Sequence, residues 1–208
     1  MLQDFVGFAI VAGLLTMLPG IDTAQVLRSA ASGGPRMAYA TVGGIIAGVF
    51  AWGLAAALGI SALLVASKTA YHVVRIAGAL YLLYLGVRII IESRHAHAKA
   101  LAAQSDVSAR RLLPVFTRAF VITLTNPKNG LFYIAMLPQF LPTEIPAAVG
   151  GIALATIHNL ECLLWFSLLI WSANLARNFF ARPKVQTWME RMSGAALVGF
   201  GVRVMLEN

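Results

Sequence analysis

Long apolar stretches alternate with short polar or basic intervals along the whole of this 208-residue chain. A helix needs about 20 residues to cross a hydrocarbon core roughly 30 Å thick. Six stretches reach that length, at about 4–27, 38–66, 70–91, 115–137, 147–173 and 188–206. Each is far longer than the roughly 10-residue alternating strands of an outer-membrane barrel, so helices are the expected form. The pattern predicts an all-α integral membrane protein with six transmembrane helices. Composition agrees: 59% of residues are hydrophobic and 12% charged, against about 25% charged in a soluble domain. One soluble domain of this length has too little interior for so much apolar surface.

The net charge is +8, and its distribution matters more than its size. Twelve basic residues follow or flank the first, third and fifth stretches, among them Arg28, Arg36, Arg94, Arg110, Arg111, Arg177 and Lys184. Only Lys68, Arg75 and Arg203 lie on the other side, with Lys128 set apart. By the positive-inside rule the basic loops are cytoplasmic and both termini face out. No aromatic-interleaved basic patch suggests a nucleic-acid partner. Asp4 is the first charge and no basic segment precedes the first apolar run, the order of an uncleaved anchor rather than a signal peptide. The single cysteine, Cys162, falls within the fifth stretch, where it reads as a small buried apolar residue.

The chain also resembles itself. VGGI occurs at 42–45 and at 149–152, an offset of 107. Arg75, Gly78 and Gly86-Val87-Arg88 align with Arg191, Gly194 and Gly201-Val202-Arg203, and Pro19 aligns with Pro127. Three spans per half is an odd number, so the halves would enter the membrane in opposite senses, as a 3+3 inverted repeat. The expectation is one transmembrane domain over 1–208, with repeats at 1–92 and 115–208 and a cytoplasmic linker at 93–114. His95 and His97 in that linker lack the Cys or acidic neighbours of a metal site.

Polar residues interrupt two of the spans. LPGID places Pro19, Gly20 and Asp22 just after the apolar run 5–18. Proline removes a backbone donor and glycine permits bending, and a carboxylate near a helix centre costs about 2.5–3.5 kcal/mol on insertion scales. Asn126-Pro127-Lys128 does the same inside the fourth span. Helices 1 and 4 are therefore expected to be broken, with Asp22 and Lys128 as partners across the repeat. Two simpler readings stay open: Asp22 caps a turn at the cytoplasmic face, and Lys128 snorkels there on its long stem.

A third cluster, His158-Asn159-Leu160-Glu161, lies in the fifth span. His158 and Glu161, three apart, share a helix face, which suits a proton relay, a metal pair or an interhelical hydrogen bond. Gly43, Gly44 and Gly48 give the second span a small-residue face for close packing, and a surface along which helices could slide. The facing of Trp52, Phe132, Tyr133 and Trp165 is not fixed by their positions.

Three motifs in order, LPGIDTAQVLRSAASGG, AGALYLLYLGVR and NPKNGLFYIAMLPQFLP, resemble the lysine exporter superfamily, and within it the homoserine/threonine exporter branch. The resemblance runs from about residue 5 to the C-terminus, with Ile21 where the familiar motif has a second proline. It implies a multi-pass protein of the bacterial inner membrane that exports a small amino acid or derivative by proton antiport, with no cofactor and no catalysis. The motif positions are Pro19, Gly20, Asp22, Asn126, Pro127 and Lys128; His158, Asn159 and Glu161 are added from their chemistry alone. The expected partners are the amino acid, protons and membrane lipid, and glycine-lined helices allow a homodimer. The alternatives are export of metal or other inorganic cations, and an intramembrane metal enzyme built on His158 and Glu161.

Overall fold

The computed structural model describes residues 1–18, 20–92, 111–142, 144–172 and 182–206. Pro19 and most of the 93–114 linker, including His95 and His97, lie outside the described residues. Among the described residues every regular element is a helix: α1 Leu2–Met17, α2 Ile21–Ala66, α3 Lys68–Glu92, α4 Leu112–Leu124, α5 Pro127–Phe140, α6 Ala147–Trp171 and α7 Pro183–Leu206.

Six membrane-crossing helices are not what forms. Among the described residues three helices are long and apolar enough to cross a membrane: Ile21–Ile60 within α2, Lys68–Arg88 within α3, and Ala147–Trp171. An apolar run reports a preference for lipid, but a span also needs an uninterrupted hydrogen-bond ladder. The run 4–27 stops as a helix at Met17, leaving α1 with 16 residues. The run 115–137 divides into α4, with 13 residues, and α5, with 14. At 1.5 Å per residue these pieces reach only about 20–24 Å. In α7 the first half carries Lys184, Glu190 and Arg191. Nor is a clear 3+3 inverted repeat of transmembrane helices present, since among the described residues the long apolar helices number three.

The long α2 is a folded pair of arms. Gly34 takes φ 71° and ψ −173°, a conformation that a side chain would strain, and Pro35 offers no amide to carry the ladder on. Thr41 Oγ1 donates to Ser29 Oγ at 2.7 Å, whereas twelve residues of straight helix would separate them by about 18 Å. The chain therefore turns back at Gly34, and Asp22 in the first turn of α2 returns to the level of Ile45 and Val49, with which it shares a cavity wall.

Packing follows from which faces are small. α2 lies against α4 and α6, α3 against α7, and α1 against α6. Phe8, Phe132, Tyr133, Met136 and Leu154 fill the centre. The outside is apolar too: Leu164 and Trp171 of α6 are 72% and 88% exposed. A helix apolar on all sides, with His158 on its inner face, suits a lipid surround.

Candidate functional site

Both breaks open their next helix toward one place. Gly20 is extended, at φ −153° and ψ −163°, and α2 starts after it with Asp22 in its first turn. Ala24 N–H donates to Gly20 O at 2.9 Å, closing that turn. At the second break Asn126 is the N-cap: its Oδ1 accepts from Lys128 N–H at 3.1 Å, and Pro127 begins the helix. Proline is well placed there, because its missing donor is one the first turn would leave unbonded anyway.

The break strands two carbonyls at the end of α4. With no amide on Pro127, Thr123 O is taken instead by Asn126 N–H at 3.3 Å. Lys128 N–H has gone to the Asn126 side chain, so Leu124 O is taken by Trp52 Nε1–H from α2, at 3.0 Å.

Between the two helix starts is a cavity of about 20 Å³, room for about one water. Asp22, Lys128, Asn129 and His158 reach it, and Leu15, Leu18, Ile45, Val49 and Phe166 supply apolar wall. Asp22 is half-buried and accepts two long hydrogen bonds, from Thr123 Oγ1 at 3.3 Å and from Asn129 Nδ2 at 3.4 Å. The structure brings Asp22 and Lys128 to one cavity without joining them as an ion pair. The Lys128 ammonium lies beside Gly20, 3.8 Å from where a side chain there would begin. Two positive helix ends and a lysine thus surround one carboxylate in a setting where field effects are strong.

His158 sits deeper, 4% exposed, and its surroundings assign its protons. Thr16 Oγ1 donates to Ala12 O at 2.9 Å, which uses its only hydrogen. The 3.0 Å contact between Thr16 Oγ1 and His158 Nε2 is then donated by the imidazole. His158 Nδ1 accepts from the Tyr133 hydroxyl at 2.9 Å, and Cys162 Sγ can give its hydrogen to the remaining Thr16 lone pair at 3.7 Å. A neutral histidine satisfies every group in this chain. Phe8 and Phe132 close around the ring, with centroids 6.4 and 5.5 Å away.

Glu161 stands apart from that network. Its carboxylate faces Gly13 of α1, with Oε1 3.6 Å from where a β-carbon would lie, and its buried Oε2 has no hydrogen-bond partner. Asn159, half-buried, has its Oδ1 in the same condition. The shared face of His158 and Glu161 therefore does not make them a bonded pair. Among the described residues no three His, Cys, Asp or Glu side chains converge as a metal site would need.

The glycines of α2 set how closely α4 approaches. A β-carbon on Gly44 would collide with Phe116 O and meet Ala119 Cβ at 2.9 Å; one on Gly48 would meet Thr123 Cβ at 2.9 Å. Gly43 has only an ordinary contact, 3.4 Å to the Phe116 ring. The tight crossing at Gly48 brings Thr123 within reach of Asp22.

Sequence reasoning singled out Asp22, Lys128 and His158 and missed the groups that hold them. Thr123 and Asn129 bond Asp22; Thr16 and Tyr133 bond His158; Trp52 bridges the second break. Thr123 and Asn129 flank the Asn-Pro pair, and that proximity was the one available signal. Nothing in spacing ties Tyr133 to His158, 25 positions on.

Comparison with known proteins narrows what this arrangement is for. Residues 14–208 match the family model described as LysE type translocator. The chain is 26% identical over 212 residues to the uncharacterized membrane protein YrhP of Bacillus subtilis, covering 99% of this chain and all of that one. It is 27% identical over 205 residues to the leucine efflux protein of Klebsiella pneumoniae, covering 97% of this chain and 94% of that one. The leucine efflux protein of Salmonella typhimurium is likewise 27% identical, over 195 residues, with 91% and 89% covered. No solved structure matches the chain significantly.

Proposed function

The chain belongs to the LysE type translocator family, whose work is amino-acid efflux across a membrane, and from that premise we propose that its substrate is a neutral apolar amino acid of the leucine kind, exchanged for protons. The observation that carries the proposal is one carboxylate and one ammonium, Asp22 and Lys128, on a single cavity with Leu15, Leu18, Ile45, Val49 and Phe166 as its apolar wall.

A zwitterion meets complementary groups there. The α-carboxylate goes to Lys128 at the start of α5, where the positive end of the helix favours an anion. The α-ammonium goes to Asp22, whose two long bonds to Thr123 and Asn129 leave oxygen lone pairs for a stronger, charge-assisted partner. An aliphatic side chain gains by leaving water for the apolar wall, at about 25 cal/mol per Å². The leucine efflux proteins among the relatives support the same substrate.

Asp22 also accounts for exchange. Ammonium and proton compete for one carboxylate, so loading one releases the other. His158 has a structural share in this scheme, because both its nitrogens are engaged. Export also requires movement, since a cavity of about 20 Å³ admits a water and excludes leucine. The basic loops support a bacterial cytoplasmic-membrane location.

The test is leucine release from cells loaded with a leucine-containing dipeptide, with and without a protonophore. Wild type should release leucine faster than cells lacking the protein, with Asp22→Asn falling to that background, Lys128→Ala needing more internal leucine for the same release, and the protonophore abolishing the difference. Glu161→Gln separates the two membrane carboxylates and should keep protonophore-sensitive release. Equal release with and without the protein, shown to be in the membrane, would end the proposal.

A further inference from the structure

Trp52 touches both sides of the second helix break. Gly44, Gly48 and Trp52 recur every fourth residue along α2, so they share a face. The first two are empty positions that let α4 close on α2, and the third carries an indole. Its Nε1–H donates to Leu124 O, the last residue of α4, at 3.0 Å. Its ring covers Gly130 in the first turn of α5, where a β-carbon would lie 2.6 Å from Cη2 and Cζ2. One rigid side chain thus bridges the interruption that Pro127 makes.

The neighbours of those two contacts are what give the bridge its consequence. Thr123 precedes Leu124, and Asn129 precedes Gly130. Thr123 and Asn129 are the two residues whose side chains hydrogen-bond Asp22, from opposite sides of the break. Their joint geometry depends on the angle between α4 and α5, and a break has no helical ladder to fix that angle. From this juxtaposition we infer that Trp52 is a positioning residue of the binding site: it sets the α4–α5 angle and so holds both donors on Asp22. It touches no substrate and acts through Thr123 and Asn129. The inference rests on the export reading only for its effect on leucine; the geometry it claims can be measured without transport.

Cys162 makes that measurement direct, because it is the single cysteine of the chain and lines the cavity. In the full-length protein purified in detergent, labelling of Cys162 by methyl methanethiosulfonate reports how often the cavity opens. Trp52→Phe keeps a ring over Gly130 and removes the N–H, and should raise the labelling rate about fivefold, the worth of one hydrogen bond. Gly130→Ala displaces the ring from the other side and should raise it as well, whereas Trp171→Phe, at the exposed end of α6, should not. Leucine binding by calorimetry supplies a readout that loss of general stability would not reproduce. Asn129→Ala should weaken binding about tenfold in the wild type and only about twofold in the Trp52→Phe background, since coupled residues are not additive. Wild-type labelling in a folded Trp52→Phe protein, or full additivity with Asn129→Ala, overturns the inference. Faster labelling in Trp52→Phe with no leucine binding in any variant would remove the export reading and leave the positioning role standing.

Discussion

The two polar clusters inside this bundle are built in opposite ways. Around Asp22 the hydrogen bonds are 3.3 and 3.4 Å long, the carboxylate is half-buried and a lysine lies nearby without pairing. Around His158 the contacts to Tyr133 and Thr16 are 2.9 and 3.0 Å, the ring is buried, and each proton has one place to go. A closed network resists change, because any proton moved leaves a buried group unsatisfied. A slack one can exchange partners at small cost. The chemistry of transport belongs at Asp22 and the rigidity that supports it at His158, although histidine is the residue type with the more suggestive pKa.

The sharpest way to break this comparison is Asp22→Asn. The amide keeps the shape and one acceptor oxygen but cannot hold an ammonium, and losing one partner of a charge pair costs several kcal/mol. Leucine efflux should fall about a hundredfold, while the thermal midpoint in detergent stays within about 2 °C of wild type. His158→Ala should do the reverse. Stranding Tyr133 and Thr16 and opening a void should cost about 2 kcal/mol of stability, yet the pH midpoint of efflux should not move. A moved midpoint would place His158 among the proton-exchanging groups.

Lys128→Ala sharpens the picture within the slack cluster. Its ammonium makes no ion pair to Asp22, so its removal should leave stability near wild type and raise the half-saturating leucine concentration about tenfold. An equal effect of Lys128→Ala on the protein's stability would mean that the lysine is structural after all. The smallest effect is expected from Gly48→Ala, whose β-carbon would lie 2.9 Å from Thr123 Cβ and so push Thr123 away from Asp22. Overpacking of this kind should cost about 1 kcal/mol and slow efflux only a few-fold.

Several features were legible in the chain before any fold was known. The apolar stretches, the prolines and the sparse charges marked a membrane protein, two helix breaks and the residues worth inspecting. One expectation failed for a physical reason. Apolar length was read as span number, but Leu2–Met17, Leu112–Leu124 and Pro127–Phe140 are each cut short of a bilayer. Whether Asp22 and Lys128 pair directly was left open by their spacing, and Asp22 is held by Thr123 and Asn129. Hydroxyl and amide donors are common and carry no pattern that marks one as a partner.

Local chemistry is written residue by residue, which is why the sequence by itself determined the lipid solvent, the family and the places where the helical ladder must fail. Proline lacks its donor wherever it sits. Only the tertiary structure decided that the stranded Leu124 carbonyl would find Trp52, that Thr16 and Tyr133 would fix the tautomer of His158, and that both helix starts would face one cavity. Those partners are tens of residues to more than a hundred apart, and for Trp52 what joins them is the closeness of packing at Gly44, Gly48 and Gly130.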